Sequence, residues 1–141
     1  MDAIREIVAK PALDSAFEVL RQLRPHLNLT SFHQIYDAAK KADGYTLVGY
    51  YRGDECLGVM GYRVYSDFVR GAHLYIDDLV TTEAARSQGI GAKLLQYAEE
   101  ETARRKMTEL RLCAVLENEG GLRFYEREGW TRRAYAFKKS L

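Results

Sequence analysis

Arg86-Ser87-Gln88-Gly89-Ile90-Gly91-Ala92 separates a strand-like run from the longest helix-like one, and its reading decides the fold. Before it, His73 to Thr81 is rich in apolar and β-branched residues and reads as a strand. After it, Gly89 to Lys106 carries Ile90, Leu94, Leu95 and Ala98 at helical spacing. Glycines let a backbone approach a ligand closely and adopt dihedrals that other residues avoid. The first N–H groups of a helix lack partners within it, and the helix dipole adds positive potential at that end. Together these make an anion site suited to a pyrophosphate. Arg86 either adds charge to that site or braces the loop.

Two other glycine motifs fit badly. A phosphate-binding P-loop needs Lys-Ser or Lys-Thr after its last glycine, whereas Gly91 is followed by Ala92-Lys93-Leu94. A dinucleotide fingerprint needs a third glycine where Leu94 stands, and it follows the first strand of a βαβ unit, whereas this loop lies past mid-chain.

Working outward, Asp2 to Ala9 reads as a first strand. Pro11 suits the first turn of a helix, and Leu13, Phe17, Leu20 and Leu23 form a stripe that ends before Pro25. Thr30 or Ser31 caps a second helix with Phe32, Ile35, Tyr36 and Ala39 on one face, stopped by Asp43-Gly44. Strands follow over Tyr45–Tyr51, Cys56–Tyr65 and His73–Thr81, the first two joined by a hairpin turn at 52–55. The long helix pairs Glu100 with Arg104 and Glu101 with Arg105 on its outer face. Beyond it come a strand over Glu109–Leu116, a helix over Glu119–Glu128 and a last strand over Trp130–Lys138. The order β-α-α-β-β-β-α-β-α-β predicts an α/β fold: a mixed sheet with helices on both faces, in one domain spanning 1–141.

The totals exclude several function classes. With 141 residues, the chain can bury a core without staples. A net charge of +1 points to neither nucleic acid nor a membrane surface, so attraction for an anion is local. Cys56 and Cys113 form no CxxC pair, no His/Cys cluster has metal spacing, and both cysteines read as buried reduced thiols in strands. The first 17 residues carry five charges and form no signal-peptide core, and no apolar run approaches the ~20 residues of a membrane span. The default location is cytoplasmic.

Arg86-x-x-Gly89-x-Gly91 resembles the acetyl-CoA pyrophosphate loop of the GNAT N-acetyltransferase superfamily, and Asp78-Leu79-Val80-Thr81 resembles that family's central strand. Asn118-x-x-Gly121-x-x-Phe124-Tyr125-x-x-x-Gly129-Trp130 resembles its second signature. The resemblance is specific over about Tyr75 to Trp130. It implies an enzyme that moves the acetyl group of acetyl-CoA, a co-substrate, to a primary amine by direct attack in a ternary complex. It also implies residue roles. The main chain of Leu79, Val80 and Thr81 binds the pantetheine arm. Backbone N–H groups of Ser87, Gln88, Gly89, Ile90, Gly91 and Ala92 hold the pyrophosphate, beside Arg86. Asn118 bonds the CoA arm, and Tyr125 lies near the sulfur and protonates the departing thiolate.

Asp77 falls where related enzymes place a base or a water-holding residue. Strand alternation puts Asp77 and Asp78 on opposite faces, leaving Asp77, Asp78 or solvent as the base. Cys113 stands where some relatives carry a glutamate base, which removes that mechanism. Where the family often has alanine, Gly121 loosens its helix. By the same resemblance, the acceptor meets His26, Leu27, Phe32, His33, Tyr36, Tyr65, Asp67, Phe68 and Arg70. A polyamine, aminoglycoside, amino acid, protein N-terminus or lysine all remain open as acceptor. Sheet edges of this kind offer a homodimer contact. The competing readings are a binding module of the same fold that holds acyl-CoA without transferring it, and a nucleotide-binding protein using the glycine loop.

Overall fold

A computed structural model describes residues 1–141. They form two compact units, Met1–Arg111 and Leu112–Leu141. The first holds β1 (Asp2–Glu6), α1 (Lys10–Leu20), α2 (Leu29–Asp43), β2 (Thr46–Arg52), β3 (Glu55–Asp67), β4 (Gly71–Thr81), a short 3-10 turn (Glu83–Ala85) and α3 (Ile90–Arg104). The short β5 (Leu110–Leu112) runs to the junction, and α4 (Glu119–Arg127) belongs to the second unit.

Local chemistry sets these boundaries. Pro11 occupies the first turn of α1, where its missing N–H costs nothing. α2 starts at a capping box: Asn28 Oδ1 accepts from Ser31 N at 2.8 Å, and Ser31 Oγ accepts from Asn28 N at 3.0 Å. It stops at Gly44, left-handed at φ 67°, whose N–H returns to Ala39 and Lys40 carbonyls.

The sheet order is β1-β2-β3-β4-β5, and the first four strands form an antiparallel meander. Successive β3 residues face opposite helix layers. Val59 packs with Leu13, Phe17, Phe32 and Tyr36 from α1 and α2. A Cβ on neighbouring Gly58 would press on Ile90 (2.9 Å) and Leu94 (3.2 Å) of α3. Ile90, Leu94, Leu95 and Ala98 are buried, as their spacing predicts.

Several expectations need correction. β1 ends at Glu6, short of Ala9, and α1 ends at Leu20, leaving Leu23 partly buried beyond it. Ile35 is 55% exposed, since only Phe32, Tyr36 and Ala39 of α2 reach the core. On α3, Glu101 is buried and takes both Arg104 and Arg105, while Glu100 meets Gln96. β5 is three residues long, not eight, and no strand forms over Trp130–Lys138. A strand exists only where a neighbouring edge accepts its backbone, which an alternating pattern cannot guarantee. Cys56 is half-buried and Cys113 is exposed beyond the end of β5.

Candidate functional site

The loop before α3 is shaped by two left-handed residues, Ser87 at φ 66° and Gly89 at φ 77°. Glycine is unstrained there, and serine is not. Gly89 is the N-cap of α3 and no side chain caps that helix, so its first-turn N–H groups keep their donors available. A Cβ built on Gly89 meets nothing within 4 Å, so backbone conformation, not crowding, requires the glycine. Ile90 is buried and Gln88 Oε1 accepts from Arg52 Nη1 at 3.1 Å, so both side chains are committed to the fold. Arg86 is exposed and has no ion pair.

β4 leads into this loop with an open outer edge. The Leu74 N–H donates to Glu109 O (3.2 Å), and β5 runs only three residues from there. At roughly 3.3 Å per residue, β5 cannot extend as far as Leu79, Val80 and Thr81, which have only β3 beside them in the sheet. Val80 packs its side chain in the core, while Leu79 and Thr81 are half-buried.

Upstream, the β3–β4 register pairs Gly61 with Asp78 and then Tyr62 with Ile76, leaving Asp77 as the extra residue of a bulge. The bulge cancels one step of alternation. Asp77 and Asp78 therefore reach the same α1–α2 side of the sheet, where strict alternation would have separated them. Asp77 Oδ2 accepts from Arg63 Nε at 2.8 Å, and Arg63 Nη1 also donates to Asp43 at the end of α2 (2.8 Å). Asp78 accepts from Arg24 Nε at 3.1 Å and from the Tyr45 hydroxyl at 2.8 Å. Arg24 Nη2 donates to the Asp77 carbonyl at 3.1 Å. Gly61 makes room for this arrangement, because any Cβ there would overlap the Tyr45 hydroxyl.

Burial pushes the Asp77 carboxyl above the ordinary aspartate value, against the opposing pull of Arg63, and the Asp78 charge adds to the rise. Burial likewise pushes the Tyr45 phenol well up, helped by the Asp78 charge. Arg24, Arg63, Tyr45 and Gly61 were not singled out in the sequence. A glycine and an arginine inside an apolar strand, opposite two adjacent aspartates, are the signals that point to them.

In the second unit, Asn118 is the N-cap of α4. Its Oδ1 accepts from Gly121 N at 3.0 Å, which leaves Nδ2 as the free end of the amide. A Cβ at Gly121 would overlap that amide, so the glycine admits the cap as well as loosening the helix. Tyr125 is half-buried between Phe124 (ring centroids 5.2 Å apart) and Trp130 (5.9 Å), and burial raises its phenol above the ordinary value.

An open helix N-terminus after a glycine-bearing loop is a recurrent phosphate-binding arrangement. The model of the acetyltransferase (GNAT) family matches residues 9–130. This chain belongs to the GNAT family.

As a member it is an acetyltransferase, and acyl transfer is its general chemistry. It is 27% identical to YhdJ of Bacillus subtilis (strain 168), described as an uncharacterized N-acetyltransferase, over 98% of each chain. Two solved structures share the fold. One is a transcriptional regulator from Bacillus halodurans C-125 (24% identity, TM-score 0.85, all of both chains). The other is AAC(6')-Iy in complex with the bisubstrate analog CoA-S-monomethyl-acetylneamine (15% identity, TM-score 0.84, 100% of this chain and 99% of that one). No helix is long and apolar enough to cross a membrane.

For this GNAT chain, the residues expected around the acceptor divide. Phe32 and Tyr36 are buried in the core, and Leu27 packs against it. His33 Nε2 is 2.7 Å from Asp14, while His26 is exposed. Tyr65 meets Tyr75 edge to face (ring centroids 5.9 Å apart) along the β3–β4 hairpin. Asp67 closes that hairpin by accepting from Val69 N and Arg70 N and pairing with Arg70, so Phe68 is left fully exposed at the tip. The polar residues free to meet a ligand are therefore fewer than the sequence suggested.

Proposed function

We propose that this chain, acting as one domain over residues 1–141, transfers the acetyl group of acetyl-CoA to a primary amine by direct attack in a ternary complex. The observation that carries this reading is the uncapped first turn of α3, next to a stretch of β4 with no outer strand. Those groups fit the co-substrate. N–H donors of Ser87 to Ala92 suit a pyrophosphate, with Arg86 adding charge. The main chain of Leu79, Val80 and Thr81 suits the amides of a pantetheine arm, and Asn118 can offer Nδ2.

In the reaction, the amine nitrogen attacks the thioester carbonyl carbon, and the C–S bond breaks as the tetrahedral centre collapses. The thiolate takes the Tyr125 proton, and the proton lost by the amine passes to water or to Asp77. Asp77 also attracts the incoming ammonium. A phenol raised by burial is a weak acid in the ground state, so its contribution comes from donating as negative charge develops on sulfur. Two unpaired thiols suit the reducing conditions of a cytoplasmic location.

The competing reading is an acyl-CoA-binding module without turnover, and the Asp77–Arg63 pair favours it, since a paired carboxylate is a poor base. Measuring CoA release with a panel of amines separates the two. Release that requires an amine supports transfer, whereas tight acetyl-CoA binding without release supports the module. Tyr125→Phe is expected to lower turnover ~10²-fold with CoA affinity nearly unchanged. Full activity in that variant removes Tyr125 from the chemistry.

A further inference from the structure

Apolar packing fixes the start of α3 on one side. Ile90 and Leu94 lie over β3 at Gly58, where a Cβ would meet them at 2.9 and 3.2 Å. Toward β1 a cavity of about 330 Å³ opens instead, lined by Ala3 and Ile4 of β1 and by Gln96 and Tyr97 of α3. What joins the helix start to that side of the sheet is polar.

Arg52, at the end of β2, lies opposite Asp2 in the β1–β2 register. Its Nε donates to Asp2 Oδ1 and its Nη2 to Asp2 Oδ2, both at 3.0 Å. This two-pronged pairing fixes the plane of the guanidinium. The remaining nitrogen, Nη1, is thereby aimed at Gln88 Oε1, to which it donates at 3.1 Å. Asp2 is itself held in place. The buried Tyr50 donates its hydroxyl to Asp2 Oδ2 at 2.6 Å and accepts from Lys93 Nζ at 3.3 Å. Hydrogen bonds from Arg52 and Tyr50 hold the Asp2 carboxyl well below the usual carboxylate range, so the bridge stays charged at neutral pH. The chain Gln88–Arg52–Asp2–Tyr50–Lys93 thus leaves the loop just before Gly89, crosses β2 and β1, and returns to α3 just after Ala92. It brackets the first turn of the helix. Gln88 also stands between the two left-handed residues, Ser87 and Gly89. Strained backbone persists only where its surroundings over-determine it, and the Arg52 bond supplies that constraint.

We propose that Arg52, oriented by Asp2, is a positioning residue for acetyl-CoA: it holds Gln88, and through it the N–H donors of Ser87 to Ala92, ready for the diphosphate. Neither Arg52 nor Asp2 has to touch the coenzyme. The proposal rests on the acetyl-CoA reading above and extends it to two residues outside the loop.

The test is calorimetric titration of the full chain with acetyl-CoA, together with nitrogen-15 relaxation of the free chain. Arg52→Ala should raise the acetyl-CoA Kd about tenfold, and Asp2→Asn several-fold, through lost preorganisation. Backbone order parameters of Gln88 to Ala92 should fall from ~0.85 toward ~0.6 in both variants before any ligand is added. Asp2→Asn decides between positioning and plain charge. Removing an anion favours a polyanionic ligand by simple electrostatics, whereas loss of the Arg52 brace weakens it. Arg52→Ala added to Gln88→Ala should weaken binding no further, because Arg52 acts through Gln88. Arg5 is the control: it too ties β1 to the β2–β3 hairpin, donating to Gly53 O at 3.0 Å, and Arg5→Ala should leave affinity unchanged. Asp2→Asn binding as tightly as the unchanged chain, or tighter, overturns the proposal. So does a loop that stays rigid in both variants, full additivity with Gln88→Ala, or an equal loss in Arg5→Ala. Failure of the unchanged chain to bind acetyl-CoA is a separate result, which sinks the underlying reading and the proposal with it.

Discussion

α2 and α3 are each fifteen residues long, and they begin in opposite ways. α2 is closed by its own side chains, with Asn28 and Ser31 satisfying each other's backbone at the start. At its far end, Asp43 takes Arg63. α3 begins at a left-handed glycine with no capping side chain, after a serine held in the same left-handed region. A capping residue typically contributes about 1 kcal/mol, and a left-handed serine costs about 1 kcal/mol more. The fold gives up stability at one helix start and keeps it at the other. That asymmetry is what a ligand-binding N-terminus requires: donors unsatisfied by the protein and held in place before the anion arrives.

The largest effect should come from Gly89→Val. No protein atom crowds a Cβ there, so the variant should fold, at a cost of about 1–2 kcal/mol for a β-branched residue at positive φ. Acetyl-CoA affinity should fall about 100-fold, equivalent to about 2.7 kcal/mol, because one or two charge-assisted bonds to the pyrophosphate are lost. Calorimetric titration with acetyl-CoA, alongside a melting curve, reads both quantities. Unchanged affinity would mean that the α3 start is merely an uncapped helix.

Arg63→Gln tests the closed end of α2, because Arg63 holds Asp43 and Asp77 together. The groups around Asp77 are Arg63 from β3, Arg24 after α1, Tyr45 before β2 and Asp78 on β4. Arg63 lowers the Asp77 pKa, while burial and Asp78 raise it. Removing Arg63 leaves the raising influences less opposed, so the carboxyl ends higher still. A base works only when ionised, so kcat/KM falls as pH drops through its pKa. The acid limb should therefore move to higher pH, and the rate on that limb should fall. Carbon-detected titration of Asp77 gives the same shift without activity. If the carboxyl shifts and the rate profile does not, Asp77 is not the base.

Much of this was legible in the sequence where local physics decides. Glycines at 89 and 91 before an apolar period of 3.6 announced the α3 start, and Asp43-Gly44 announced the end of α2. What was missed depends on strands meeting. The bulge at Asp77 is a property of the β3–β4 register, so one chain's alternation placed Asp77 and Asp78 on opposite faces, and only pairing brings them together. Arg63 and Arg24 lie 14 or more residues from the carboxylates they bind, beyond the reach of any short motif. The strand expected at Trp130–Lys138 failed for the same reason: pattern supplies a candidate, and pairing makes the strand.

Asn28→Ala provides the control at the capped helix. It should cost about 1 kcal/mol, which for a chain of this size lowers Tm by about 2–4 °C. Acetyl-CoA affinity should not change. If removing this cap weakened binding as strongly as Gly89→Val, the two helix starts would not differ in function, and the contrast would reduce to general stability.

The smallest effect separates strain from function. Ser87 and Lys106 are the two non-glycine residues at positive φ, one before α3 and one after it. Replacing either with glycine relieves about 1 kcal/mol of native-state strain, but it adds unfolded-chain freedom worth 0.4–1 kcal/mol. The net change should be a few tenths of a kcal/mol, about 1 °C or less in Tm. The variants should part only in binding. Ser87→Gly loosens donors that are held ready, so acetyl-CoA affinity should fall a few-fold through lost preorganisation. Lys106→Gly, at the far end of the same helix, should leave affinity unchanged. Equal affinities in all three proteins would show that the left-handed serine does not hold the loop ready, and that its strain belongs to the chain's path out of β4.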